Sequence, residues 1–185
     1  MAAFDGGSFG RSLLSQLNHS IKRKVFVSYH HAGDQGYYNR FSATFADGYE
    51  AIQDSSLDRR IDSKNPEYVM RRIRENHITG TSCTIVLCGM YAGQRKYLDW
   101  EVKATLDKQH GLVGIRLPTN PVQTNDSSYK PERLQDNINS GYAVWGDWDS
   151  LATGGVNYLT SLIETANAKP KSSIENDRVL KPQNG

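Results

Sequence analysis

The chain has 185 residues, a net charge of +2, 37% hydrophobic and 23% charged residues, with ten Tyr and three Trp. That balance suits one folded domain with its own core and argues against a disordered chain. It also argues against a nucleic-acid binder: the basic groups Lys22–Arg23–Lys24 and Arg71–Arg72–Arg74 are short, and the second reads as a solvated helix face. No signal peptide is expected in "MAAFDGGSFGRSLLSQLNHS", which lacks a basic start and a continuous apolar segment. No run approaches the roughly 20 apolar residues of a membrane helix. The expectation is a cytoplasmic protein that engages neither membrane nor nucleic acid.

Residues 24–29, "KVFVSY", are β-branched and aromatic and predict a first strand. The loop "HHAGDQG" follows, then a helix over 35–47 with Tyr38, Phe41 and Phe45 at helical spacing and Asp34 as its N-cap. "YEAIQ" at 49–53 predicts a weaker strand, and "DSSLDRRIDSKNP" a long polar connection. Pro66 opens a helix over 66–77. "SCTIVLC" at 82–88 is nearly all apolar, as a central strand covered on both faces should be. Its two cysteines, Cys83 and Cys88, have an odd separation. They point to opposite faces and should stay reduced thiols rather than pair.

A helix over 94–109 comes next, with Gly111 as its stop. "LVGIRL" at 112–117 is a strand ended by Pro118, and 118–141 a long loop with one helical turn near 132–137. "YAVWGDW" at 142–148 predicts an edge strand, and 150–167 the last helix. The alternation of strands and helices implies an α/β fold, a central parallel sheet of about five strands with helices on both faces. Ligands of such sheets bind beyond the carboxyl ends of the strands. Those ends are "SYHHAGD", "QDSSLD", "CGMYAG" and "RLPTN".

The motifs divide unevenly. There is no G-x-G-x-x-G, P-loop or G-x-S-x-G elbow. "GDQG" at 33–36 reads better as a turn than as a phosphate cradle. His30 and His31, being adjacent, point to different sides of an extended chain, which disfavours a metal site with Asp34. No metal is expected. The helix "RKYLDWEVKATLDK" is the informative stretch. Lys96, Lys103 and Asp107 share one side, with Asp99 close by, and Leu98, Val102, Thr105 and Leu106 lie opposite. Glu101 sits at the border of the apolar face beside Trp100 and Val102. It is either a border carboxylate paired with Lys108 or Arg95, or a functional group near the ligand crevice.

"RKVFVSYHHAGD" resembles the first strand and loop of TIR domains, in which an F-[IV]-S-[YF] strand runs into a polar loop with an acid. "CTIVLCGMYAGQRKYLDWEVKATLDK" resembles the later stretch, where a hydrophobic strand ends in a small residue and an aromatic-rich segment carries the glutamate of NAD-cleaving members. "Y-L-D-W-E" stands at that place. The nearer likeness is to the TIR-like family that serves as the ThsB component of bacterial Thoeris antiphage systems, and it covers roughly residues 22–117.

The resemblance implies a single TIR-like, flavodoxin-like domain over 22–168. An N-terminal extension would occupy 1–21, and a polar tail, expected to be disordered, 169–185. It implies an NAD glycohydrolase or ADP-ribosyl cyclase-like enzyme with NAD as substrate and no cofactor. Glu101 would be the catalytic carboxylate. Ser28, Tyr29, His30, Asp34, Tyr97 and Trp100 would bind substrate with Asp54, whose loop at 54–60 closes over the site. A cyclic or conjugated ADP-ribose signal would reach a separate effector protein after a phage trigger, and the domain would self-associate. The rival expectation is a non-catalytic TIR-type scaffold acting through self-association, with Glu101 a structural ion-pair residue.

Overall fold

Six consecutive buried residues, Cys83–Cys88, form the strand at the middle of the sheet, because both of its faces are covered. The computed structural model describes residues 23–53, 65–122 and 129–184. Its strands are β1 (Arg23–Tyr29), β2 (Tyr49–Gln53), β3 (Cys83–Cys88), β4 (Gly111–Arg116) and β5 (Val144–Asp147). Its helices are α1 (His31–Phe45), α2 (Pro66–Ile73), α3 (Lys96–Asp107), α4 (Glu132–Asn139) and α5 (Trp148–Asn167). All pairings among these strands are parallel, in the order β2-β1-β3-β4-β5, which is the flavodoxin-like arrangement. The expected α/β fold with a five-stranded parallel sheet is therefore present.

The alternation of side chains along each strand divides the core into two layers. Val25, Val27, Cys83, Ile85, Leu87, Val113 and Ile115 pack with α1 and α5. Phe26, Val86, Cys88 and Leu112 face α2, α3 and α4 on the other side. Cys83 and Cys88 accordingly lie in different layers as free thiols, and burial pushes the Cys83 thiol up to about 12. Neither is a ready nucleophile.

Several sequence expectations need correction. The first helix begins at His31, four residues before the expected start, so the "HHAGD" loop is its first turn. Asp34 lies inside that turn, and the N-cap position belongs to His30. Gly111 does not end α3. The chain leaves the helix through Gln109, which takes the left-handed conformation at φ 55, and Gly111 already begins β4. The second helix ends at Ile73 and runs on as a π-helical turn through Ile78. The loop after β4 contains a helix of two turns, α4, rather than a single turn. The last helix starts at Trp148, where Asp147 accepts the Ser150 N–H at 2.9 Å.

The tail is the largest correction. Residues 170–184 are seated on the α3–α4 side of the body, with Ile174 and Leu180 packed against its apolar clusters. The extension 1–21 and the loop 54–60, with Asp54, lie outside the described residues. No helix among the described residues is long and apolar enough to cross a membrane.

Candidate active site

Helix α3 crosses the sheet over β1 and β3, and its neighbouring residues enter different clusters. Trp100 and Ala104 join Phe26 and Ile73, while Leu98 and Val102 join Val86 and Cys88. Glu101 meets the sheet at the seam between them. Ser28 Oγ donates to Glu101 Oε2 at 2.5 Å. One turn on, Thr105 Oγ1 donates to the Glu101 carbonyl at 2.9 Å and shares a 2.6 Å hydrogen bond with Thr84. A polar line of Ser28, Glu101, Thr105 and Thr84 thus runs through an otherwise apolar interface.

Glu101 is 4% exposed and Ser28 1%. The expectation of a border carboxylate on the helix surface is corrected: this is an interior group. Burying a carboxylate costs several kcal/mol unless it is well hydrogen-bonded. An apolar side chain there would hold α3 to the sheet at less cost, so the stability of the fold does not explain a carboxylate. Its position is also informative. Ser28 is the last residue but one of β1, and β1 and β3 are the adjacent strands at which this sheet reverses its order. Ligand sites of open α/β sheets form beyond the carboxyl ends at that point.

A second carboxylate occupies the same strand ends. Asp34 is 3% exposed, and the backbone N–H groups of His30 and Gly89 donate to it, tying the end of β1 to the residue after β3. Gly89 has to be glycine here, since a Cβ on it would collide with the Asp34 carboxylate. Asp34 Oδ2 is buried without a hydrogen-bond partner among the described residues. Burial raises the pKa of the Asp34 carboxyl from 3.8 to about 6, against the opposing pull of the two backbone N–H groups. Asn120, fully buried, closes the far side. Its amide donates to the Cys88 carbonyl at 3.0 Å and to the Tyr129 carbonyl at 2.5 Å, and its Oδ1 accepts the Tyr129 N–H.

The remaining expected site residues divide. His30 stands at the same rim, edge-on to Tyr91 at 6.2 Å. Tyr29 packs in the other layer, with α1. Adjacent strand residues face opposite layers, so Tyr29 stacks on Tyr38 at 4.8 Å and donates to Gln35 Oε1 at 2.8 Å on the α1 side. Trp100 is a core residue whose Nε1 donates to the Lys181 carbonyl at 2.9 Å. Tyr97 packs against the same cluster, edge-on to Trp100 at 5.8 Å.

Asp99, read from the sequence as part of the charged side, is buried against Arg133 at 3.1 Å. The sequence reading missed Asp99, Arg133, Gly89 and Asn120. Only Gly89 left a signal, as the small residue closing the apolar strand. Two cavities of about 610 and 450 Å³ flank the tail, and Glu101, Ser28 and Asp34 line neither. Among the described residues no group of three or more His, Cys, Asp and Glu could hold a metal ion.

Comparison with known proteins adds the following. Residues 26–122, just over half of the chain, match the family model described as Thoeris protein ThsB, TIR-like domain. The match spans β1 through β4 and includes Ser28, Asp34, Gly89 and Glu101. Among solved structures, the chain is similar to the TIR domains in the structure of the activated Roq1 resistosome directly recognizing the pathogen effector XopQ. The identity is 13%, the coverage 80% of this chain and 86% of that one, and the TM-score 0.39. No curated protein matches the sequence.

Proposed function

The chain belongs to the Thoeris ThsB TIR-like domain family, and from that premise we propose that it is an enzyme that cleaves NAD between ribose C1′ and nicotinamide. The observation that carries this reading is the buried Glu101 carboxylate, held by Ser28 at the carboxyl ends of β1 and β3. When the C1′–N bond breaks, its electron pair goes to the pyridinium nitrogen and nicotinamide leaves neutral, so no general acid is needed. The ribose is left with oxocarbenium character. Glycosidases meet a similar cation with two carboxylates because their leaving group must also be protonated. Here one pre-placed negative charge suffices, and a water-poor setting makes it count for more.

Asp34, at the same strand ends, would accept a hydrogen bond from a ribose hydroxyl through its Oδ2 and so hold the sugar. Water, a second small-molecule nucleophile or an atom of the nucleotide itself then attacks C1′ and loses its proton to solvent, which yields free, conjugated or cyclic ADP-ribose respectively. The product acts as a signal to a separate effector during phage infection.

The test is the small-molecule content of phage-challenged cells carrying the wild-type chain or Glu101→Gln. The expected result is NAD loss, free nicotinamide and a new ADP-ribose nucleotide with the wild type alone. The same nucleotide pool in both would overturn the proposal.

A further inference from the structure

Residues 171–184 form a strap across α3 and α4, fastened by backbone groups and by side chains, Arg178 pairing with Asp136 and Glu132 of α4. Asn137 holds Glu175 on both sides, its amide donating to the Glu175 carbonyl at 2.7 Å and its Oδ1 accepting the Glu175 N–H at 3.1 Å. Arg133, fully buried, donates to the carbonyls of Asn176 at 3.1 Å and Arg178 at 2.7 Å. Its Nε donates to Asp99 on α3 at 3.1 Å, and the second oxygen of Asp99 accepts the Lys181 N–H at 3.0 Å. Trp100 donates to the Lys181 carbonyl, and Asn184 Oδ1 accepts the first N–H of α3, that of Lys96, at 3.0 Å.

Three of the strap's contacts on α3 fall at residues 96, 99 and 100, in the turn and a half before Glu101, and a further one, from the Asn176 amide to Asp107 at 2.8 Å, holds the far end of the helix. At 100° per residue, Asp99 and Glu101 are about 200° apart on the helix. The strap therefore grips the back of the helix whose front carries Glu101. Arg133 is the hub. A buried guanidinium is tolerable only while its donors are matched, and the strap carbonyls and Asp99 match them together. Unseating the strap would leave both Arg133 and Asp99 short of partners and uncap α3 next to Glu101.

We infer that the strap and Arg133 are positioning elements for Glu101, setting the rotation of α3 that keeps its carboxylate against Ser28. This inference rests on the NAD-cleaving reading of Glu101. It assigns to the C-terminal residues a part in turnover that no residue of the strap performs by touching substrate.

The experiment uses the full chain and two changes at one half-buried position, Lys181. Lys181→Pro removes the N–H that Asp99 accepts. Lys181→Ala keeps the backbone N–H and carbonyl and serves as the conservative control. Hydrogen exchange of residues 96–101 and nicotinamide release from NAD are measured for both, with melting temperature alongside. In Lys181→Pro, exchange in 96–101 should rise about tenfold or more and kcat should fall at least tenfold, with KM changing less than twofold. Lys181→Ala should match the wild type on all counts. Faster exchange with unchanged or raised kcat would overturn the inference while leaving the NAD reading intact. If the wild type releases no nicotinamide in challenged-cell extract, the NAD reading fails and exchange alone decides the strap: unchanged exchange in 96–101 overturns its grip on α3.

Discussion

Asp34→Asn isolates what a buried charge at the strand ends does. The folded chain holds the Asp34 proton up to about pH 6, against 3.8 for the ordinary group, chiefly because burial disfavours the anion. A raised folded pKa means that the folded state binds the proton more tightly than the unfolded state. The stabilising contribution is therefore full below 3.8 and is lost as pH rises through about 6. A difference of about 2 in pKa corresponds to about 3 kcal/mol. Asparagine is neutral throughout and does not suffer this loss. Its Oδ1 can still accept from the two backbone N–H groups, with the amide at the place of the unpartnered Oδ2.

The stability gap between variant and wild type should thus be near zero at pH 4 and grow in favour of Asn to as much as about 3 kcal/mol at pH 7.5. For a chain of this size that is roughly 6–12 °C in melting temperature. Thermal unfolding followed by circular dichroism from pH 4 to 8 measures it. A gap that does not change with pH, or a variant less stable at pH 7.5, would refute the reasoning. If Asp34 also holds the ribose, the stabilised variant should turn over NAD more slowly, since charge kept at a cost in stability is a mark of function.

Gly89→Ala should force the Asp34 carboxylate from its seat and cost about 1–3 kcal/mol by overpacking; in an Asp34→Ala background, chemical denaturation should show the same change costing at least about 1 kcal/mol less, because the two positions touch. Gln109→Gly relieves a left-handed backbone at φ 55 and should stabilise by about 1 kcal/mol, seen as roughly 2–4 °C in melting temperature.

The sheet was legible because its strands are short apolar runs separated by helical periodicities, and Cys83–Cys88 is apolar enough to admit only a central place. Glu101 was legible as an anomaly of pattern, a carboxylate at the edge of an apolar face, although its depth was not. The orientation of Tyr29 was legible too: period-2 alternation puts it on the opposite face from Ser28, where it stacks on Tyr38. The strap was hidden for a physical reason. Its contacts with the body are polar, backbone groups meeting Arg133, Asn137 and Trp100 and side chains such as Arg178 pairing with Asp136 and Glu132, so it lacks the apolar periodicity that marks a packed element and its proline-bearing composition resembles disorder. Asp99 was hidden in the same way. Its partners, Arg133 and the Lys181 N–H, are distant in sequence, and helical spacing alone places it among surface charges. The N-cap expected at Asp34 falls at His30, because "HAG" shows no helical pattern in its side chains yet its backbone is the first turn of α1.

The most direct test is nicotinamide release from NAD by the activated protein, wild type against Glu101→Gln, with melting temperature as the folding control. Gln keeps the shape and can still accept from Ser28, and it removes only the charge. Loss of that charge should cost the barrier about as much as removing an oxyanion-hole donor, about 2.7–4 kcal/mol, or roughly 10² to 10³ in rate. The melting temperature should be unchanged or higher, because a buried anion is gone. Turnover equal to the wild type in a folded Glu101→Gln protein would contradict the account.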